Sequence, residues 1–114
     1  MKYRSHCPLA RSLDVIGDKW TLLVLREIIT FQRTTFKEIS QMREGIATNI
    51  LSDRLGKLTK EKLLQRRQST ANKLTYHYLP TQKALDLLPV IQELTGWSLK
   101  HLFGKKESPV LLEL

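Results

Sequence analysis

What the chain has least of narrows it first. Its 114 residues hold one cysteine, Cys7, and three histidines, His6, His77 and His101. A single thiol cannot close an intrachain disulfide, and these four side chains form no spacing recognisable as a zinc site, so no metal is expected. A fold held by its own core in a reducing, cytoplasmic setting is predicted. Long apolar runs are missing as well. The longest is Leu22 to Leu25, far short of the ~18 residues that span a bilayer. The first twenty residues interleave Lys2, Arg4, Arg11, Asp14, Asp18 and Lys19 with apolar ones, so neither signal peptide nor membrane anchor is expected. No glycine-rich phosphate loop, no nucleophile with its base and no paired carboxylates can be picked out. An enzyme is not expected, and no cofactor is called for.

Acid is also scarce, with 11 Asp and Glu against 19 Lys and Arg, a net charge of +8. At 41% hydrophobic residues the chain is too apolar for disorder, and its length suits one domain. Such a charge on a folded domain points to a polyanion. Nucleic acid comes first, with an anionic membrane surface or mere solubility as alternatives. The surplus is local. Arg54, Lys57, Lys60, Lys62, Arg66, Arg67 and Lys73 stand within twenty residues, opposed by Glu61 alone.

Pro8 can open a helix carrying Leu9, Leu13 and Ile16 to a stop at Gly17. Asp18 then caps a second helix to about Thr30, in which Trp20 reads as a core residue. Thr35 and Glu38 have capping-box spacing before Phe36, Ile39 and Met42, and Gly45 supplies the turn that follows. A fourth helix points Ile50, Leu51, Leu55 and Leu58 inward and leaves Thr48, Asn49, Ser52, Asp53 and Lys57 facing out. Leu64–Ser69 and Leu74–Leu79 read as a β-hairpin with its tip at 70–73. Alternation puts Leu74, Tyr76 and Tyr78 on one face, packing beneath the hairpin in preference to stacking on bases, and turns His77 the other way, a surface histidine by default with a phosphate contact as the alternative. Pro80 ends the hairpin. Thr81 caps one long final helix to Leu102, with Pro89 and Gly96 as kink points. The tail from 104 to 114, with its Val110-Leu111-Leu112 run, either docks on a partner subunit or frays.

The expected fold is mainly α with a small β-hairpin wing. The third and fourth helices form a helix-turn-helix over about 35–62 with the wing at about 64–79. In the fourth helix, Asn49 can bond an adenine edge bidentately and Ser52 a base or a phosphate. Thr48 and Arg54 can hold phosphates or base edges. Equally, Thr48 can be the cap and Arg54 can pair with Asp53 or Glu61. Lys57 is a phosphate contact that tolerates imprecise geometry. Arg66, Arg67 and Lys73 belong to the wing and reach phosphate or the minor groove.

Ordered blocks surround this unit: Cys7-Pro8-Leu9-Ala10-Arg11, Leu13-Asp14-Val15-Ile16-Gly17, Lys19-Trp20-Thr21-Leu22-Leu23, Phe36-Lys37-Glu38-Ile39, and Gly45-Ile46 leading into Asn49-Ile50-Leu51-Ser52-Asp53-Arg54-Leu55. Through them the chain, from about Cys7 to His101, resembles the HxlR-type family of bacterial winged-helix transcriptional regulators. The resemblance implies a homodimer on double-stranded DNA with a pseudo-palindromic operator. It assigns dimerisation to helices at about 8–17 and 81–103. In some relatives a cysteine at the position of Cys7 senses oxidants or electrophiles, so an oxidant or small-molecule effector is implied. Lys2, Arg4 and His6 would favour a thiolate there if it is exposed, while a small packed residue is the alternative. The chain departs from the family at Ala47-Thr48, where many relatives have Ser-Pro, and at Pro80 and Ala84, where leucine and glycine are usual. A protein-interaction module whose basic wing binds an acidic partner is the alternative function.

Overall fold

The computed structural model describes residues 2–109, and the Val110-Leu111-Leu112 run lies outside them. Eight elements follow in order: α1 (Pro8–Ile16), α2 (Thr21–Ile29), α3 (Phe36–Ser40), α4 (Thr48–Lys60), β1 (Leu64–Gln68), β2 (Tyr76–Pro80), α5 (Gln82–Leu85) and α6 (Leu88–His101). This is a mainly helical fold with a two-stranded antiparallel wing.

Local chemistry sets the helix ends. Gly17 closes α1 with its amide donating to the Leu13 carbonyl at 2.9 Å, and a Cβ at this position would collide with that same oxygen. Asp18 holds the start of α2, accepting the amides of Trp20 at 2.8 Å and Thr21 at 3.0 Å and the Thr21 hydroxyl. These are the donors a helix start leaves without partners. At α3 the capping box is complete. Thr35 Oγ1 accepts the Glu38 amide at 3.2 Å, and Glu38 Oε1 accepts the Thr35 amide at 3.1 Å. The turn into α4 passes through Gly45 at φ 71°, a conformation that side chains disfavour.

The inward faces of α2, α3 and α4 meet in one core. Val24, Leu25, Ile28, Ile39, Leu51, Leu55 and Leu58 are all buried there. Leu64 of β1, Ala84 of α5 and Ile91 of α6 complete it, and Trp20 packs against its edge. One charge lies inside. Glu27 is fully buried and accepts from Arg26 Nε at 3.1 Å and Arg33 Nη1 at 2.7 Å, so the carboxylate is paired twice.

The last part differs from the sequence expectation. The single helix predicted from Thr81 is two, separated at Asp86 and Leu87. Pro89 explains the break: it has no amide to give and its ring excludes a continuous helical path, so it sits in the first turn of α6 instead. Thr81 occupies the cap position of α5, but its hydroxyl donates to the carbonyls of Lys62 at 2.7 Å and Leu63 at 3.2 Å, stitching α5 to the base of the wing.

In the wing, Leu64 pairs with Pro80, Arg66 with Tyr78 and Gln68 with Tyr76. Tyr78 packs on the core as expected, whereas Tyr76 is exposed and Leu74 is 90% exposed. Strand pairing begins only at Tyr76, so the alternation that would turn Leu74 inward does not extend to it. His77 is likewise no free surface group. Its Nδ1 lies 2.7 Å from Thr34 Oγ1, and with the Tyr78 amide donating to the Thr34 carbonyl at 2.7 Å it straps the wing to the segment before α3.

Candidate nucleic-acid interface

The exposed side of α4 follows from its buried one. With Leu51, Leu55 and Leu58 turned into the core, Thr48, Asn49, Ser52, Asp53 and Gly56 face outward, and Lys57 is half-buried. Ala47, in extended conformation, is the cap residue, so Thr48 begins the helix and is not its cap. Its hydroxyl, with the amide of Asn49 and the hydroxyl of Ser52, lies on one polar stripe near a helix N-terminus. Such an end favours anions.

Arg54 takes the other course anticipated for it, ion pairing, though with a second partner. Its Nε donates to Asp18 at 2.9 Å and its Nη1 to Asp53 at 2.6 Å, with Nη2 in neither bond. The pair ties the middle of α4 to the start of α2. Burial opposes the Asp18 charge. The Thr21 hydroxyl, Arg54 and the amides of Trp20 and Thr21 outweigh it and hold the carboxyl well below the usual carboxylate range. Asp14 of α1 is a different acid, its carboxyl lowered chiefly by the hydrogen bond from the Arg4 amide, with the charges of Arg4 and Lys57 acting in the same direction. A further clamp fixes the turn before α4. Arg26 donates from Nη1 and Nη2 to the two carboxylate oxygens of Glu44 at 2.9 and 2.5 Å, one residue ahead of Gly45.

The wing continues the charge. Arg66 and Arg67 are exposed on β1 and Lys73 on the tip, and the Arg66 guanidinium lies over the Tyr76 ring at 4.2 Å. From Lys62 to Leu85 the sequence contains no carboxylate. The structure thus brings Thr48, Asn49, Ser52 and Lys57 onto one helix and Arg66, Arg67 and Lys73 onto the adjoining hairpin. Sequence reasoning missed the Asp18 tether, the open Gly56 and the cation-bearing Tyr76. Gly56 could have been found from its spacing, since it follows Ser52 by one helical turn.

Cys7 stands apart from this surface. It is exposed at the cap position of α1, its amide donating to Ser5 Oγ at 3.0 Å. Of the bases expected around it, Arg4 is paired with Asp14, and His6 Nδ1 lies 3.1 Å from Arg11 Nη2. Among the described residues no three His, Cys, Asp or Glu are grouped to hold a metal, and no helix is long and apolar enough to cross a membrane. An open groove of about 1000 Å³ runs between α2, the turn at Arg43 and Glu44, and α6.

A helix-turn-helix with a polar outward face, flanked by a basic hairpin, defines a winged-helix DNA-binding regulator. Comparison with known proteins carries this to a family. Residues 15–106 match the model of the HxlR-like helix-turn-helix family, and the chain belongs to it. It is 30% identical over 94 residues to the HTH-type transcriptional regulator BH0655 of Halalkalibacterium halodurans, covering 82% of this chain and 83% of that one. The crystal structure of PA1607, a candidate transcription factor, superposes with a TM-score of 0.86 at 33% identity over 96% of this chain and 75% of its own. The HTH-type regulator YodB of Bacillus subtilis is 26% identical over 93 residues, 81% of this chain and 82% of that one. YodB has been solved reduced, with a TM-score of 0.66 over 91% of this chain and all of that one. It has also been solved bound to quinone.

Proposed function

We propose that this regulator binds operator DNA as a homodimer and reads it through α4. One observation carries the reading: the outward stripe of Thr48, Asn49 and Ser52 adjoins a hairpin bearing Arg66, Arg67 and Lys73 in a stretch without carboxylates. Asn49 and Ser52 take base edges in the major groove, Thr48 and Lys57 take phosphates, and the wing bases follow the flanking backbone. Arg54, held by Asp18 and Asp53, sets the position of α4 and offers Nη2 to a phosphate. The exposed apolar faces of α1 and α6 pair with those of a second copy, placing two α4 helices about 34 Å apart on a pseudo-palindromic site. The alternative, a module binding an acidic protein, shares the charge but gives the polar face of α4 no role.

Cys7 is the proposed point of regulation. It is exposed, and the relative YodB has both a reduced and a quinone-bound structure. Any disulfide it forms joins two chains or a small thiol, since the chain has no second cysteine.

Repeated binding selection from random duplex DNA tests both parts. The expected outcome is enrichment of one two-fold symmetric site, with diamide releasing the wild type from it and not the Cys7→Ser variant. No enrichment over input DNA contradicts the DNA reading, and equal diamide responses contradict the Cys7 assignment.

A further inference from the structure

Leu74 is more exposed than any other large apolar side chain among the described residues, 90% open at the end of the wing. It is not on a loose loop. Ser69 Oγ accepts the amides of Ala71 at 3.2 Å and Asn72 at 3.3 Å, and Asn72 Oδ1 accepts the Leu74 amide at 3.0 Å. The Ser69 amide donates to the Thr75 carbonyl at 2.8 Å, and Gln68 Nε2 donates to the Lys73 carbonyl at 2.6 Å. Five local bonds therefore fix the backbone that presents an apolar side chain to solvent. A group fixed before binding loses little freedom when it meets its partner.

The surroundings select that partner. Lys73 precedes Leu74, Arg66 lies on the Tyr76 ring, Arg67 is on the same strand, and no carboxylate intervenes. Two such tips repel one another, which disfavours a second wing as the occupant. A duplex minor groove offers the complementary chemistry: two rows of phosphate for the cations, and between them walls of deoxyribose whose carbon faces accept an apolar side chain. We propose that Leu74 is an apolar minor-groove contact, packed against deoxyribose at each flank of the operator while Lys73 and Arg66 hold the phosphates beside it. The proposal rests on the DNA-binding reading above and adds to it a contact that carries no charge.

That difference makes it measurable. Phosphate contacts release counterions, so each one lost lowers the slope of log affinity against log salt by about 0.9, whereas an apolar contact leaves the slope alone. On the selected duplex, Leu74→Ala is expected to weaken binding about tenfold at every salt concentration with the wild-type slope, from loss of roughly half to all of a leucine's burial. Lys73→Ala is expected to weaken binding with a shallower slope. Hydroxyl-radical footprinting is expected to find minor-groove protection at both flanks with the wild type and none there with Leu74→Ala, at concentrations where both saturate the site. Binding by Leu74→Ala within twofold of wild type, a changed slope, or persistent flank protection would each overturn the proposal. A wild type that selects no duplex removes the DNA reading and this contact with it, an outcome distinct from a wild type and variant that bind alike. Thermal melting of Leu74→Ala is expected to match wild type, because the side chain touches nothing it could unfold.

Discussion

At the scale of single residues, Gly56 is a position whose identity the isolated chain does not explain. It stands in the interior of α4, exposed, and apart from its own stretch of helix nothing lies within 4 Å of where a Cβ would be. Alanine there would favour the helix by about 1 kcal/mol. On the proposed DNA-binding reading, the face it shares with Asn49 and Ser52 leaves that space to the duplex. Gly56→Ala should therefore raise the melting temperature by several degrees, on the order of 4–8 °C per kcal/mol, while weakening operator binding. A variant that is more stable and binds as well as wild type would show that α4 does not approach DNA closely here. Residues whose roles depend on near neighbours were legible: Thr35 and Glu38 are three apart, and their capping box follows from the sequence alone. The Asp18–Arg54 pair spans 36 positions and has no local pattern to mark it. His77 was misjudged for the same reason, since its partner Thr34 lies 43 residues earlier.

At the scale of elements, Asp18 adds a polar tie between α2 and α4 beside their shared core, accepting the first amides of one helix and the Arg54 guanidinium of the other. Asp18→Ala should destabilise the fold by about 1–2 kcal/mol, a cap and a charged hydrogen bond being lost together. Asparagine keeps the cap but not the charge. The Asp18 carboxyl is held below its ordinary range in the folded chain, so its contribution is complete at neutral pH and is lost as pH falls from that range toward the folded value. In urea titrations between about pH 5 and pH 2, wild type should lose more stability than Asp18→Asn. Parallel pH profiles for the two would contradict the tether. Helix faces were readable from periodicity because α2 and α4 each bury one side. The final helix was not, because apolar spacing from Ala84 to Leu102 continues across Pro89 while the backbone cannot.

At the scale of the whole molecule, charge and apolar surface are separated. The net positive charge gathers on α4 and the wing, while α1 buries no residue and α6 buries only Ile91. Leu9, Leu13, Leu94, Trp97 and Leu102 are left at least half exposed, a surface that suits association better than solvent. Sedimentation of the wild type should give a dimer, and Trp97→Glu a folded monomer with much weaker operator binding. A wild type that sediments as a monomer while binding a symmetric site tightly would refute that arrangement. The location of the charge was legible in the sequence. The proposed pairing of α1 and α6 across a dimer comes from family resemblance alone, because nothing within one chain marks what would cover these faces.

The central claim is that the outward face of α4 reads base edges, and Asn49 tests it most directly. Affinities of wild type and Asn49→Ala are compared on the selected duplex and on a scrambled duplex of equal length and composition across a salt series. A bidentate base contact predicts that the variant loses about 1–3 kcal/mol of discrimination between the two, with its salt slope unchanged. Undiminished preference for the selected duplex would place sequence reading elsewhere on the protein.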